Sequence, residues 1–269
     1  MTEPTSPFDG LASEYDATFT HSVIGTILRE AVWRRADARF GSGDHVLELN
    51  CGTGEDALHL ARRGVRVLAT DVSSRMLDVG REKIAAAELS DRVAFRRMAI
   101  EEFTVEEAEA LLRDVDVPAG FDGALSNFGG LNCVADLTAF ATGLSQYVRP
   151  GGVALCCVMG PVVPWEWAWF LARGRPSKAW RRLRSRGAVW RGVHVHYPTI
   201  RTVRRAFSPA FRAVRVSALG ALVPPPYTER AVGRFPRLLR FAARWERRLA
   251  TIPPLPWLAD HYLVEFRRM

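Results

Sequence analysis

Glu48, Gly52, Gly54 and Asp71 have the types and the spacing to hold a ligand that carries positive charge and a sugar. Gly52 and Gly54, in Asn50-Cys51-Gly52-Thr53-Gly54, let a backbone turn approach a ligand with no Cβ in the way. A helix expected from Glu55 points its first amides at the same place. The same letters read as G-x-G-x-x-A, a dinucleotide fingerprint, and a turn needed only for tight packing gives them too. The acids sharpen the choice. Asp71 offers two oxygens to a pair of ribose hydroxyls. Glu48, just ahead of the glycines, would repel a pyrophosphate and attract a cation. S-adenosylmethionine joins a sulfonium, an ammonium and a ribose in one molecule. The bland alternative makes Asp71 a helix cap and Glu48 a satisfied polar group at the sheet edge.

These residues need a frame that brings them to one edge, and the pattern around them supplies it. His45–Leu49, Val65–Thr70, Val93–Met98, Phe121–Ser126 and Val153–Val158 read as buried strands. Helical stretches lie between them, at 55–63, from Ser73 or Ser74 to about Glu88, within 105–113 and over 136–147. Strands alternating with helices imply a parallel sheet with right-handed crossovers. The expected class is α/β, doubly wound, with ligands beyond the carboxyl ends of the strands. Phe211–Leu219 and His261–Phe266 suit two closing strands, so the sheet should have seven strands, mostly parallel, with the last antiparallel.

At this point the sequence resembles class I, Rossmann-like S-adenosylmethionine-dependent methyltransferases over roughly residues 8–160. Val46-Leu-Glu-Leu-Asn-Cys-Gly-Thr-Gly54 is similar to the first motif of that family, Asp71-Val-Ser-Ser-Arg-Met76 to the second and Phe121-Asp-Gly-Ala-Leu-Ser-Asn-Phe128 to the fourth. Pro150-Gly-Gly152 before strand five recurs there as well. The resemblance implies that Glu48 and the backbone of Asn50, Cys51, Gly52 and Gly54 hold the methionine part of the cofactor. Asp71 would take the ribose, Val72 and Met76 the adenine faces, and Ile100 and Glu101 the adenine edge. Asn127 and Phe128 would line the methyl-transfer face, and Tyr15, in a leading helix, would cover the cofactor carboxylate. Two positions depart from the family: Asn50 stands where glycine is usual, and Ala99 where an acid often meets the adenine amino group.

The charge is split. Residues 1–160 hold 15 Lys/Arg against 24 Asp/Glu, whereas 161–260 hold 20 against 4, with seven of the eight tryptophans. The organisation expected is a helical segment (1–44) closing over the cofactor, a cofactor-binding core (45–160), a helical Arg/Trp-rich cap (161–210) and closing strands (211–269). Trp165, Trp169, His196 and Tyr197 of the cap are candidate substrate contacts. His194 and His196 alternate on an expected strand and are candidate bases, since imidazole titrates near neutrality; a structural role competes. An amphipathic helix at 235–250 sets Leu238, Leu239, Ala242, Trp245 and Leu249 opposite five arginines. It suits peripheral contact with an anionic membrane, or docking on the protein body with the arginines solvated.

Several classes fall away. No apolar run is long enough to span a bilayer, and the N-terminus lacks the basic and apolar regions of a signal peptide. Cys51, Cys133, Cys156 and Cys157 show no metal-ligand spacing, so no metal is expected and the cytoplasm is the default. The expected function is methyl transfer from S-adenosylmethionine, with S-adenosylhomocysteine as product, to a small lipophilic or aromatic acceptor, with an anionic one also open. Nucleic-acid methylation is the rival that the basic segment suggests, but Ser126-Asn127-Phe128-Gly129 lacks the Asn/Asp-Pro-Pro-aromatic signature. A nicotinamide-dependent oxidoreductase using the same glycines is the other.

Overall fold

Each apolar run of the first module is bounded by turn residues and followed by a helix that returns the chain, which is what a sheet buried on both faces requires. The computed structural model describes residues 8–11, 16, 20–184 and 187–269. In chain order these form α1 (Val23–Asp37), β1 (His45–Leu49), α2 (Glu55–Arg62), β2 (Arg66–Asp71), α3 (Ser74–Ala86), β3 (Val93–Arg97), α4 (Val105–Asp114), β4 (Phe121–Ser126), α5 (Leu137–Tyr147) and β5 (Val148–Met159). There follow α6 (Pro164–Leu171), α7 (Pro176–Ala179), β6 (Ala188–Trp190), β7 (Val193–Val195), α8 (Ile200–Phe207), β8 (Phe211–Leu219), α9 (Glu229–Val232), α10 (Pro236–Leu249) and β9 (His261–Arg268).

Among the described residues the main sheet has seven strands in the order β3-β2-β1-β4-β5-β9-β8. Only β9 runs antiparallel to its neighbours. The order reverses between β1 and β4, and there the carboxyl ends of the strands open a crevice. One face of the sheet is covered by α4, α5 and α8, around Tyr147, Phe207 and Phe266. Phe207 stacks on Phe266 at 4.4 Å. The other face carries α1, α2 and α3, around Phe40, Leu125 and Leu263.

The cap differs from the helical expectation. Its second half is a hairpin, because Arg191 and Gly192 both take positive φ (49° and 84°). Two such residues make the tight turn whose twist suits paired strands. The stretch from Ile200 is the core's own crossover helix, with Ile200, Val203 and Phe207 buried against the sheet.

Helix α10 also differs from the face expected of it. Leu239 is buried and Glu246 lies beside it on the inward side, while Leu238, Phe241 and Trp245 are exposed. The cause is the single acid of the helix. Glu246 accepts the amide protons of Gly220, Leu222 and Val223 at 2.7, 2.6 and 3.0 Å. Three otherwise orphaned donors in the turn after β8 therefore decide the rotation, against the widest apolar arc. Glu246→Ala leaves those amides unpaired and should destabilise the fold by about 3 kcal/mol. Urea unfolding measures the loss, and hydrogen exchange should rise first at residues 220–223.

Candidate active site

The turn after β1 is built from left-handed residues, Asn50 (φ 50°), Gly52 (φ 54°) and Gly54 (φ 70°). Asn50 is held in that costly conformation by its own amide. Nδ2 donates to the Asn127 carbonyl at 2.7 Å, and Oδ1 accepts from Ser126 Oγ at 2.7 Å. The side chain that replaces the usual glycine thus ties the β1 turn to the end of β4. A Cβ on Gly52 would meet no protein atom within 4 Å, so the space beyond it is open. Gly54 has a different reason: its Cβ would press on Phe95 at 3.1 Å and on the Gly80 Cα at 3.4 Å. Tight packing explains Gly54; Gly52 faces the crevice.

The acids meet around this turn. Glu48 is 1 % exposed, and its Oε2 has no hydrogen-bond partner. Burial, and then the nearby Asp56, push its carboxyl well above the usual range, with Arg29 opposing. Asp71 accepts the Ser73 amide on Oδ1 and the Gly52 amide on Oδ2, both at 2.9 Å. Burial raises its pKa, and the backbone amides work against the rise. The Val72 amide also favours the ionised carboxylate, so three backbone donors hold it. Beyond β2, Met76 is buried and Val72 partly exposed. Ile100 is half-buried after β3 and Glu101 exposed, while Glu102 accepts the Ala99 amide.

Sequence reasoning missed the next layer. Asp56, buried in the first turn of α2, receives Arg29 Nη1 at 2.8 Å, Trp33 Nε1 at 2.6 Å and Asn127 Nδ2 at 2.9 Å. Asn127 Oδ1 in turn accepts the Phe128 amide at 3.0 Å. Phe128 has φ 44°. The Arg29 guanidinium lies 5.1 Å over its ring, and the His261 ring meets it edge-on at 5.5 Å. The leading segment closes on the same region. Asp16 accepts Thr53 Oγ1 at 2.7 Å and Lys83 Nζ at 2.9 Å, and Asp9 accepts Ser73 Oγ at 2.5 Å. Tyr15 lies outside the described residues.

The cap is locked over the ends of β5 and β9. Asn132 is fully buried. Its amide donates to the Met159 and His196 carbonyls and accepts the Met159 amide, and its own carbonyl accepts the His196 amide. Glu166 pairs with Arg181 at 2.9 Å and with Arg182 at 2.8 Å. Arg182 reaches Asp260 at 2.6 Å, and Asp260 lies 2.9 Å from His261 Nδ1. Arg182 and His261 hold the Asp260 carboxyl well below its usual range, against the effect of burial. The Tyr197 ring sits under Arg182 at 5.2 Å. Trp165 donates to the Ala221 carbonyl, and Trp169 packs on Tyr227. His194 is exposed on the hairpin opposite Val189. The signal for His261 was the Asp260-His261 pair opening a strand at the carboxyl edge of the sheet.

Residues 46–152 match the family described as methyltransferase domain. A demethylmenaquinone methyltransferase of Clavibacter sepedonicus is 34 % identical over 161 residues, 58 % of each chain. One of Mycobacterium marinum is 33 % identical over 155 residues, 56 % of this chain and 57 % of that one. The chain thus spans a little over half the length of these curated relatives. An S-adenosylmethionine-dependent methyltransferase of Mesorhizobium loti superposes with a TM-score of 0.54 at 19 % identity, over 88 % of this chain and 98 % of that one. A geranyl diphosphate C-methyltransferase of Streptomyces coelicolor gives 0.55 at 16 % identity, over 89 % and 78 %. These two likenesses concern the fold; the family match makes residues 46–152 a methyltransferase domain.

Proposed function

We propose that the chain transfers the methyl group of S-adenosylmethionine to a small lipophilic acceptor, working in the cytoplasm against an anionic membrane surface. The observation that carries the cofactor reading is the pair of carboxylates around the open Gly52 turn. Glu48 has a buried oxygen that lacks a donor, and a ligand ammonium supplies one. Asp71 faces the same turn as an acceptor for the ribose hydroxyls, and the first amides of α2 favour the methionine carboxylate. Val72 and Met76 flank the adenine, Ile100 and Glu101 border its edge, and Asn127 and Phe128 wall the transfer face. When bound, the cofactor supplies a methyl group activated on a sulfonium.

The chain's remaining work is alignment, exclusion of water and, for an acceptor that arrives protonated, removal of a proton. Of the histidines near the cap, His261 is the best placed for that. It touches Phe128, Asp260 holds its Nδ1 side, and its Nε2 has no partner among the described residues. The acceptor's proton would pass to Nε2 while the acceptor's electron pair bonds to the methyl carbon and the carbon–sulfur pair leaves with S-adenosylhomocysteine. A lipophilic acceptor is supported by the names of the relatives and by the aromatic cap of Trp165, Trp169 and Tyr197. The nucleic-acid reading loses Arg181 and Arg182, whose guanidinium groups are paired with Glu166 and Asp260.

Calorimetry should show binding of S-adenosylhomocysteine and none of NADH. Asp71→Ala should weaken that binding by roughly 1.5–3 kcal/mol through loss of charge-assisted hydrogen bonds; unchanged affinity removes Asp71 from the site.

The raised pKa of Glu48 sets a pH dependence. The free protein holds this proton to higher pH than the complex does, so binding in that window releases a proton. Affinity should therefore rise with pH until the free carboxyl is ionised. Titrations in buffers of different ionisation enthalpy read the proton directly, and Glu48→Gln should abolish the release.

His261→Ala should lower turnover of a short-chain demethylnaphthoquinol about 100-fold while leaving S-adenosylhomocysteine affinity in place. A variant as fast as the wild type excludes His261 from the chemistry.

A further inference from the structure

Helix α10 presents two stripes to solvent. With Glu246 and Leu239 fixed inward, a turn of 100° per residue puts Leu238, Trp245 and Phe241 on one adjoining arc. Arg248, Arg237, Arg244 and Arg240 occupy the next. Leu238 is 64 %, Phe241 60 % and Trp245 40 % exposed. Phe241 and Trp245 touch edge to face at 6.3 Å, and Arg248 lies 5.3 Å over the Trp245 ring. None of the four arginines has an acidic partner among the described residues. The Glu246 anchor prevents the helix from rolling its apolar stripe inward, so the stripe stays available to something outside the chain.

We propose that this face docks the chain on an anionic bilayer. Leu238, Phe241 and Trp245 enter the boundary of the acyl chains, and Arg237, Arg240, Arg244 and Arg248 meet the lipid phosphates. An apolar stripe flanked by arginines matches that layered surface, apolar below and anionic above. A second copy of this chain fits it less well, because a self-complementary contact would set the arginine stripes against each other. The proposal rests on the reading of a lipophilic acceptor for its purpose. The inward side of the same helix shares an apolar cluster with Ile24, Leu28, Val223 and Phe128, so one layer of side chains separates the docking face from the wall of the site.

Co-sedimentation with vesicles tests this without any acceptor. The wild type should sediment with mixed phosphatidylglycerol–phosphatidylcholine vesicles and not with phosphatidylcholine alone. Each cation near such a surface multiplies partition by about fivefold, so R240Q/R244Q/R248Q should bind about 100-fold more weakly. The deficit should shrink as salt rises. F241S/W245S should bind at least about tenfold more weakly, through lost apolar burial. All these positions are exposed, and circular dichroism confirms that the variants are folded. Failure to bind anionic vesicles overturns the proposal, as do variants that bind like the wild type. So does sedimentation velocity showing a dimer that F241S/W245S splits. S-adenosylhomocysteine calorimetry on the same samples should be unchanged by the variants; absence of binding by the wild type would sink the cofactor reading and leave the vesicle result standing.

Discussion

The buried carboxylate of Asp56 is the constraint on which the site depends. It is inaccessible to water, so its charge needs donors from the protein, and they come from two separate elements. Arg29 and Trp33 approach from α1, and Asn127 from the end of β4. Satisfying one acid therefore sets the distance of the leading helix from the sheet and fixes the amide of Asn127. That amide orients the backbone of Phe128, and Arg29 covers its ring. Burial first, and then the same charge, raise the pKa of Glu48, so the residue that organises the crevice also tunes its neighbour.

A second buried ionic chain does the same for the cap. Arg182 lies between Glu166 on α6 and Asp260 before β9, and it also donates to the carbonyls of Gly160 and Asp260. A guanidinium in that position is costly to desolvate and gains little over an apolar replacement in stability. Its effect is geometric. The fork of donors admits one placement of α6 against β9, and Asp260 is thereby held against the His261 ring. Asn132 adds the other fixed point, joining the end of the hairpin to β4 and β5.

The alternation of strands and helices, the seven-stranded sheet with its antiparallel last member and the motif order were legible because each rests on local periodicity and turn chemistry. What escaped was decided by contacts between distant segments. A period of 3.6 residues identifies α10 as amphipathic but cannot say which arc turns inward; three amides after β8 made that choice through Glu246. Gly54 and Gly52 look alike in sequence, and only the positions of Phe95 and Gly80 separate a packing glycine from one that faces open space. Asn50 stands where glycine is usual, and both ends of its amide are engaged by Ser126 and Asn127. Asp260-His261 was hidden for a simpler reason: no short spacing joins it to Phe128, which lies in another strand's loop.

Net charge behaves in the same way. The count of 20 Lys/Arg against 4 Asp/Glu in residues 161–260 suggests a single large anionic partner. The fold divides those cations by neighbourhood. Arg181 and Arg182 neutralise buried acids of the cap. Arg201, Arg204, Arg205 and Arg212 line a cavity of about 400 Å³ beside α8 and the edge strand β8, with Trp257 at its rim. Arg248 of α10 lies over the exposed Trp245 ring, as Arg191 does over Trp190 and Arg234 over Phe235. An ion pair in the interior and a guanidinium beside a tryptophan in water contribute equally to a sequence total, yet the first orders the protein and the second is left for a partner. The basic segment is therefore better understood as three separate electrostatic environments than as one surface.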